Sequence, residues 1–181
     1  MIDPKADDAV LEEAIACLGA TGLVVKPAHD GSSIGVTKLA EPTVAALRKA
    51  LEDAAGVRGD EVLVEEYIHG REFTVAVLDG RALPVIEIRA PEGDYDFNNK
   101  YFGDAVHYDC PAKRERAFAA VGARGGSRID ARQRADGSFA LLEINTSPGM
   151  TPHSLVPMAA RAVGMDYADL CLKVLSLARC D

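Results

Sequence analysis

The chain has 181 residues, 48% of them hydrophobic, and carries a formal net charge of −8 at pH 7. This length suits one large domain or two small lobes with a real core. The negative charge argues against nucleic-acid binding, and no apolar run is long enough to span a membrane. The cysteines have no metal-type spacing, which favours a reduced, cytoplasmic compartment, and two of them, Cys17 and Cys171, lie in apolar helical patterns that predict core positions.

The first half of the chain alternates predicted helices with short strands. Apolar residues at helical spacing predict a helix over Asp8–Leu18, and a second helix is expected to begin at Pro42 and to end at Gly56. Strands are predicted at Leu23–Val25 and at Glu61–Tyr67.

Three stretches in this half could contact a nucleotide. Lys26 follows the first strand, where a lysine can meet a phosphate, although an exposed lysine is the commoner case. The loop His29–Gly35, which includes Ser32, is rich in donors that could fold over phosphates; it lacks the P-loop pattern and by itself predicts only a turn. Glu65-Glu66-Tyr67-Ile68 could face a purine amine and ribose hydroxyls, or could be a strand edge kept soluble by charge.

The second half begins with a predicted hairpin, Phe73–Leu78 with Ala82–Ile88, around the turn Asp79-Gly80. The polar, aperiodic stretch Ala90–Asp109 has the length of a lid, with plain disorder as the alternative, and Lys113–Val121 reads as a short helix.

Two helices are expected at the end of the chain. The first runs from about Leu155 to Ala162, and the second follows Asp166. Its expected buried stripe consists of Leu170, Cys171, Val174, Leu175 and Leu177. Helices alternate with antiparallel hairpins along the chain, so the sequence predicts an α+β fold without repeated βαβ units.

A second predicted hairpin pairs Gly126–Arg132 with the strand that ends at Asn145, around Asp136-Gly137. With a two-residue turn, Asp130 lies opposite Glu143 and Arg128 opposite Asn145, all on one face. Like charges placed opposite each other destabilise a sheet, so the two acids need a cation or a role.

Two readings of this face stay open from spacing alone. Carboxylate and amide oxygens are ligands suited to Mg²⁺, so Asp130, Glu143 and Asn145 could bind a metal. Alternatively, Arg128 and Arg132 neutralise the acids on a solvated face. After the strand, Pro148 removes a donor and Gly149 permits a positive φ, which predicts a sharp break.

Taken together, the motifs resemble the D-alanine–D-alanine ligase family of the ATP-grasp superfamily. The matching stretches follow family order along nearly the whole chain: Val25-Lys26-Pro27, Gly31–Gly35, Val64–Ile68, Gly70–Val75, Lys100-Tyr101, Cys110-Pro111-Ala112, Arg128-Ile129-Asp130 and Glu143–Pro157. The last block is the most specific.

The resemblance implies an ATP-grasp fold, in which two α+β lobes with antiparallel sheets enclose ATP. Residues 1–90 would form the central, nucleotide-binding lobe. Residues 91–181 would form the C-terminal lobe, with a lid loop at about 91–109, the metal-binding hairpin and the final helices.

The implied reaction joins two D-alanine molecules for peptidoglycan precursor synthesis, and so for building the cell wall. ATP phosphorylates the carboxylate of the first D-alanine, and the amine of the second attacks the acyl phosphate through a tetrahedral intermediate. The family often forms homodimers, so a homodimer is also implied.

The resemblance also implies a role for each matching residue. Lys26 and Lys100 would contact ATP phosphates, Glu65, Tyr67 and Ile68 the adenine, and Glu72 the ribose. Two Mg²⁺ ions, for which Mn²⁺ could substitute, would be bound by Asp130, Glu143 and Asn145. Arg128 and the Gly149 N–H would stabilise the oxyanion, Ser154 and Leu155 would hold the second substrate's carboxylate, and hydrogen bonds joining Ser32 and Tyr101 would close the loops over the site.

Two features depart from the family pattern. The family's N-terminal domain does not precede Lys26 in this sequence, and the segment between Pro111 and Arg124 is shorter than the family's. Either the chain is a natural or engineered fragment of a longer protein, or the sequence joins the ordered residues of a longer chain under continuous numbering. Besides the ligase, the sequence allows a sister ligase with another second substrate or a nucleotide-binding remnant without catalysis.

Overall fold

A computed structural model describes residues 1–29, 31, 33–58, 61–90, 106–112 and 125–178. These residues divide into two compact units, the first ending at His69 and the second beginning at Gly70. Most of the predicted lid and the whole helix predicted at Lys113–Val121 lie outside the described residues. None of the helices in the described part combines the length and hydropathy that a membrane span requires.

The first unit is a three-stranded antiparallel sheet with helices on one face. Strand β1 (Leu23–Pro27) lies between β2 (Thr37–Leu39) and β3 (Val62–Glu66). Alternate residues of β1 and β3 are fully buried and pack against two helices, α1 (Asp8–Leu18) and α2 (Val44–Arg58). The opposite face of this sheet carries the polar residues discussed below.

The helices of this unit match the sequence prediction closely, with a difference of two residues at each end of the second helix. The predicted helix at Asp8–Leu18 is confirmed, and the Asp7 carboxylate caps it by accepting the Val10 N–H. Helix α2 starts after Thr43, whose hydroxyl accepts the Ala46 N–H, and it continues past Gly56 because that glycine does not adopt a positive φ. Cys17 is exposed rather than in the core.

The second unit is built on a larger antiparallel sheet. Its strands are β4 (Glu72–Leu78), β5 (Arg81–Ala82), β6 (Ile86–Arg89), β7 (His107–Asp109), β8 (Gly126–Gln133) and β9 (Phe139–Asn145). The described strands lie in the order β7-β6-β4-β8-β9, with β5 also paired to β4. The seven-residue pairing of β4 with β8 explains why the compact units divide after His69, about 20 residues before the lobe boundary expected from the sequence.

The predicted strand Ala82–Ile88 is two strands in the structure. Residues 83–85 lie between the two strands; the Leu83 N–H still donates to the Ala76 carbonyl at 2.8 Å, and Pro84, which has no N–H to donate, follows it. Asp79-Gly80 forms the expected turn, with both residues at positive φ.

Two helices pack on one face of the second sheet. Helix α3 (Leu155–Ala162) and helix α4 (Tyr167–Leu177) pack on Ala76, Leu78, Ile86 and Ile88. Leu170 is fully buried as predicted, whereas the exposure of Leu175 is 70%, so the stripe predicted for this helix was too wide. Cys171 is only partly buried.

Candidate functional site

The open face of the first sheet brings two predicted nucleotide residues together. Val24 lies opposite Glu65 on neighbouring strands, so Lys26 and Glu65 project from the same face. The Lys26 Nζ lies 2.6 Å from the Glu65 Oε2. Both side chains are partly exposed, and an ion pair of this kind contributes only about 0–1 kcal/mol, so a polyanion could recruit Lys26 at little cost.

Tyr67 and Ile68 follow directly at the end of β3. The Tyr67 N–H donates to the Gly22 carbonyl at 2.9 Å, and the Tyr67 carbonyl accepts from the Thr21 hydroxyl at 2.9 Å. Both main-chain groups of Tyr67 therefore make hydrogen bonds within the unit, and its ring lies against that of His69, with the ring centroids 4.0 Å apart. Lys38, which the sequence did not mark, lies with its Nζ 5.6 Å from the centre of the Tyr67 ring.

The glycine-rich loop is described only in part. Ser33 and Gly35 both have positive φ, and the Ile34 N–H donates to the Gly31 carbonyl in a turn. A Cβ at Gly35 would lie 2.8 Å from Val57, so the loop approaches α2 closely there. Ser32, Lys100 and Tyr101 lie outside the described residues.

The second unit carries the remaining predicted residues on one face of three adjacent strands. We call this the polar face and define it as Glu72 and Thr74 on β4, Arg128, Asp130 and Arg132 on β8, and Glu143 and Asn145 on β9. Asp130 lies opposite Glu143, and Arg128 lies opposite Asn145, as predicted.

That register results from two departures that offset each other. The turn is a three-residue loop, closed by the Arg134 N–H donating to the Ser138 carbonyl at 2.7 Å, with Gly137 at φ +87°. Near the turn the pairing is therefore displaced by one residue from the prediction. A bulge at Leu142 inserts one extra residue into β9 and restores the predicted pairing at Asp130 and Arg128.

Asp130 is 8% exposed and has two partners on the polar face. The Thr74 hydroxyl donates to the Asp130 Oδ1 at 2.6 Å, and the Arg128 guanidinium donates to both carboxylate oxygens at 2.6 to 3.1 Å. Arg128 also lies 3.7 Å from the Glu143 carboxylate. The guanidinium thus lies beside both acids and offsets the repulsion between them.

Glu72 lies at the edge of the polar face and pairs with Arg132. The Arg132 guanidinium donates to the Glu72 Oε2 at 2.9 and 3.2 Å, and both side chains are largely buried. A buried pair of this kind holds both side chains in a fixed orientation.

Asp130, Glu143 and Asn145 offer two carboxylates and an amide oxygen, and oxygen atoms are the donors that a hard divalent cation prefers. The Asn145 Oδ1 accepts the Ser147 N–H at 2.9 Å, which fixes the amide and leaves a second lone pair. Among the described residues, no three His, Cys, Asp or Glu gather as a metal site, because the third donor here is an amide. The donor set fits Mg²⁺ in kind.

The segment after β9 leads from the polar face to the start of α3. Gly149 does not have the positive φ expected from the sequence; its small size matters instead, because a Cβ there would lie 3.1 Å from the Ser154 Oγ. Ser154 precedes α3 but makes no side-chain cap to it. The Ser154 Oγ accepts the Thr151 N–H at 3.1 Å.

Three residues at this site were not expected from the sequence. Thr74 reaches Asp130 from a strand 56 residues earlier, and only its alternation with Glu72 could have suggested it. Tyr167 donates to the Met150 carbonyl at 2.5 Å, and Arg161 donates to the Pro152 carbonyl at 2.8 Å. A hydrogen bond with Cys171 raises the pKa of Tyr167.

Comparison with known proteins gives a consistent result. The sequence model of the family described as D-ala D-ala ligase C-terminus matches residues 4–176. The chain is 51% identical to the D-alanine–D-alanine ligase of Bordetella parapertussis, over 87% of this chain and 54% of that protein. It is 49% identical to that of Aromatoleum aromaticum, over 96% of this chain and 59% of that protein.

Solved structures agree with this. The D-Ala:D-Ser ligase VanG of Enterococcus faecalis has a TM-score of 0.76 and 30% identity, over 97% of this chain and 55% of that chain. The D-alanine–D-alanine ligase of Bacillus anthracis, solved with ATP, has a TM-score of 0.72 and 25% identity, over 97% of this chain and 57% of that chain. This chain spans only about half the length of the relatives it matches, and it belongs to the D-Ala–D-Ala ligase C-terminal family.

Proposed function

We propose that the protein containing this chain joins two D-alanine molecules at the expense of ATP, for peptidoglycan precursor synthesis in the cytoplasm. The observation that carries the proposal is the polar face, where Asp130 and Glu143 lie opposite each other with Arg128 beside both. The segment from Gly149 to Ser154 follows it directly and leads into a helix N-terminus. Membership of the D-Ala–D-Ala ligase C-terminal family supports the choice of substrate.

In this proposal the residues that match the family's nucleotide-binding positions contact ATP. Lys26 exchanges its ion pair with Glu65 for an ATP phosphate, and Lys100 provides a second contact of the same kind. Glu65, Tyr67 and Ile68 bind the adenine, while Glu72, held by Arg132, binds the ribose. A lysine suits this task because its compact charge on a flexible stem can follow a phosphate.

Asp130, Glu143 and Asn145 would hold Mg²⁺, which neutralises charge on the transferring phosphoryl group when bound. Thr74 orients the Asp130 carboxylate from the neighbouring strand. Arg128, which lies beside both acids, would bind the oxyanion of the reacting carbonyl. Phosphate oxygens would complete the coordination of two Mg²⁺ ions, because Asp130, Glu143 and Asn145 are the donor side chains that the described part of this face offers.

The chain then stabilises the second half of the reaction. The amine of the second D-alanine attacks the acyl phosphate carbon, an oxyanion forms, and phosphate leaves. Arg128 and the Gly149 N–H donate to that oxyanion. Ser154 and the Leu155 N–H bind the second substrate's carboxylate, where the N-terminus of α3 favours negative charge. Ser32 and Tyr101 would close the loops over the site and exclude water.

The metal assignment is tested by Asp130→Asn and Glu143→Gln in the complete protein. Each change removes a charged ligand, so we expect ATP turnover with D-alanine to fall at least about 100-fold. Asp136→Asn, in the turn of the same hairpin, is the matched control and should leave turnover within about twofold, since Asp136 bonds Ser138 within the turn. Near-normal phosphate release from either site variant would refute the assignment.

The function itself is tested by measuring ADP release with and without D-alanine, together with detection of the dipeptide. ADP release that depends on D-alanine would exclude a nucleotide-binding remnant, and ATP binding without turnover would support one. The similarity to VanG, a D-Ala:D-Ser ligase, favours one further candidate, a ligase with another second substrate. A panel of amino acid and hydroxy acid acceptors separates the two. Sedimentation tests the proposed homodimer.

A further inference from the structure

A single peptide group connects helix α4 with Ser154. The carbonyl of the Met150–Thr151 peptide accepts the Tyr167 hydroxyl at 2.5 Å, and its N–H donates to the Ser154 Oγ at 3.1 Å. Tyr167 is the first residue of α4, and the capping bond from Asp169 N–H to the Asp166 carboxylate fixes that end of the helix. The peptide plane is therefore held at both of its polar atoms.

Thr151 makes a second contact with the same serine. The Thr151 Oγ1 lies 2.9 Å from the Ser154 Oγ, in a hydrogen bond where either oxygen could be the donor. A serine hydroxyl offers one proton and two lone pairs. If Thr151 donates both its N–H and its O–H, both lone pairs of Ser154 are used, and the Ser154 proton must point to an acceptor outside this pair.

The acceptor that such a proton would favour is an anion. A hydrogen bond to a carboxylate is about twice as strong as one between neutral groups, so a bound carboxylate draws the Ser154 proton and leaves Thr151 as the donor to Ser154. The Tyr167 hydroxyl polarises the peptide group and makes the Thr151 N–H a better donor. The hydrogen bond that Arg161 donates to the Pro152 carbonyl fixes the chain between Thr151 and Ser154.

We propose that Thr151 and Tyr167 are positioning residues that commit the Ser154 hydroxyl to donate to the carboxylate of the second substrate. This inference rests on the proposed function and deepens it. The preference of the acceptor site for a carboxylate over a neutral group would then depend on a chain of hydrogen bonds. This chain runs from Tyr167 through the Met150–Thr151 peptide to Ser154. Neither positioning residue needs to touch the substrate.

The test is a competition between two acceptors in the complete protein. D-alanine and D-alaninamide, which lacks the carboxylate, are supplied together with ATP, and the two products are quantified in the same mixture. Their ratio reports only the acceptor step, because activation of the first D-alanine is common to both. The variants are Thr151→Val and Tyr167→Phe, with Ser176→Ala as the matched control. Ser176 donates to a main-chain carbonyl on the same helix as Tyr167, but far along it.

We expect the ratio of dipeptide to dipeptide amide to fall about tenfold in Thr151→Val and about threefold in Tyr167→Phe. It should be unchanged in Ser176→Ala. A fall in total rate at a constant product ratio in both variants would mean a merely structural role and would overturn the inference. An unchanged rate and an unchanged ratio in both variants would overturn it as well. If the unaltered protein makes no dipeptide, the proposed function is wrong and this inference fails with it. If the unaltered protein makes the dipeptide but the product ratio is the same in both variants, only this inference is wrong.

Discussion

At the scale of single residues, the site depends on small side chains as much as on charged ones. Gly149 has an ordinary backbone conformation, yet a Cβ there would lie 3.1 Å from the Ser154 Oγ. The glycine is needed for the space it leaves beside the serine that is proposed to bind substrate. The sequence suggested a conformational reason, whereas the contact that matters comes from a residue five positions later.

Gly149→Ala tests this directly. The added methyl group must displace Ser154, so we expect kcat/KM for ligation in the complete protein to fall at least about tenfold, because small displacements of a binding group are costly. The free energy of unfolding should change by less than about 1 kcal/mol, as measured by urea titration.

The matched change is Gly56→Ala, an exposed position in α2 where a Cβ meets nothing within 4 Å. It should raise the free energy of unfolding by about 0.5–1 kcal/mol, because alanine is the better helix former, and leave ligation unchanged. An active Gly149→Ala enzyme would show that Ser154 can move without consequence.

At the scale of elements, the two faces of the second sheet have different tasks. One face carries Asp130 and its partners, whereas Glu87 on β6 projects from the other and is 4% exposed. Glu87 accepts from Arg71 and Arg89, and the hydrogen bond with Arg71 is the largest cause of its lowered pKa. These ion pairs of Glu87 with Arg71 and Arg89 stabilise the sheet on the face opposite the polar face.

The stability that Glu87 contributes should depend on pH. Because its folded pKa is lowered, that stability is present above its unfolded pKa of about 4.3 and is lost as the pH falls through the lower folded value. Glu87→Gln should lower the free energy of unfolding by about 2 kcal/mol at pH 7. The difference from the unaltered chain should shrink below about pH 4.

Denaturant titrations at several pH values measure this difference. Glu12→Gln, at an exposed position on α1, should cost less than about 0.5 kcal/mol at every pH. A Glu87→Gln deficit that stays constant down to pH 3 would contradict the assignment, because it would mean that the charge of Glu87 contributes nothing.

At the scale of the whole molecule, each compact unit has its own hydrophobic core. Leu47 on α2 belongs to the cluster of the first unit, and Leu170 on α4 belongs to a cluster of the second; both are fully buried. Loss of a buried leucine costs about 3 kcal/mol in such cores. The two positions belong to different hydrophobic clusters, so we expect their effects to be separable.

Calorimetry of this chain tests that expectation. We expect two unfolding transitions, with Leu47→Ala lowering the midpoint of one and Leu170→Ala lowering the midpoint of the other, each by at least about 10 °C. One common transition that moves by the same amount in both variants would show instead that the chain unfolds as a single cooperative body.

The strand pairing of the last hairpin could be predicted from the sequence, although the turn length assumed in that prediction was wrong. The pairs Asp130 with Glu143 and Arg128 with Asn145 are confirmed, but the turn has three loop residues and β9 has a bulge at Leu142. Turn signals such as Asp136-Gly137 mark where a hairpin bends, but loop length also depends on local bonds such as Ser138 to Asp136. A single-residue insertion leaves no pattern in the sequence.

The sequence by itself determined the kind and order of most elements, because periodicity, caps and turn residues act over a few positions. It also determined that acids and amides would share one face of the last hairpin. Only the tertiary structure decided which strand lies beside that hairpin. Pairing of β4 with β8 brings Thr74 to Asp130 and Glu72 to Arg132, across 56 and 60 residues of chain. Strand alternation sets the face on which a side chain lies, but the partner strand is selected by packing of the whole sheet, which no local pattern encodes.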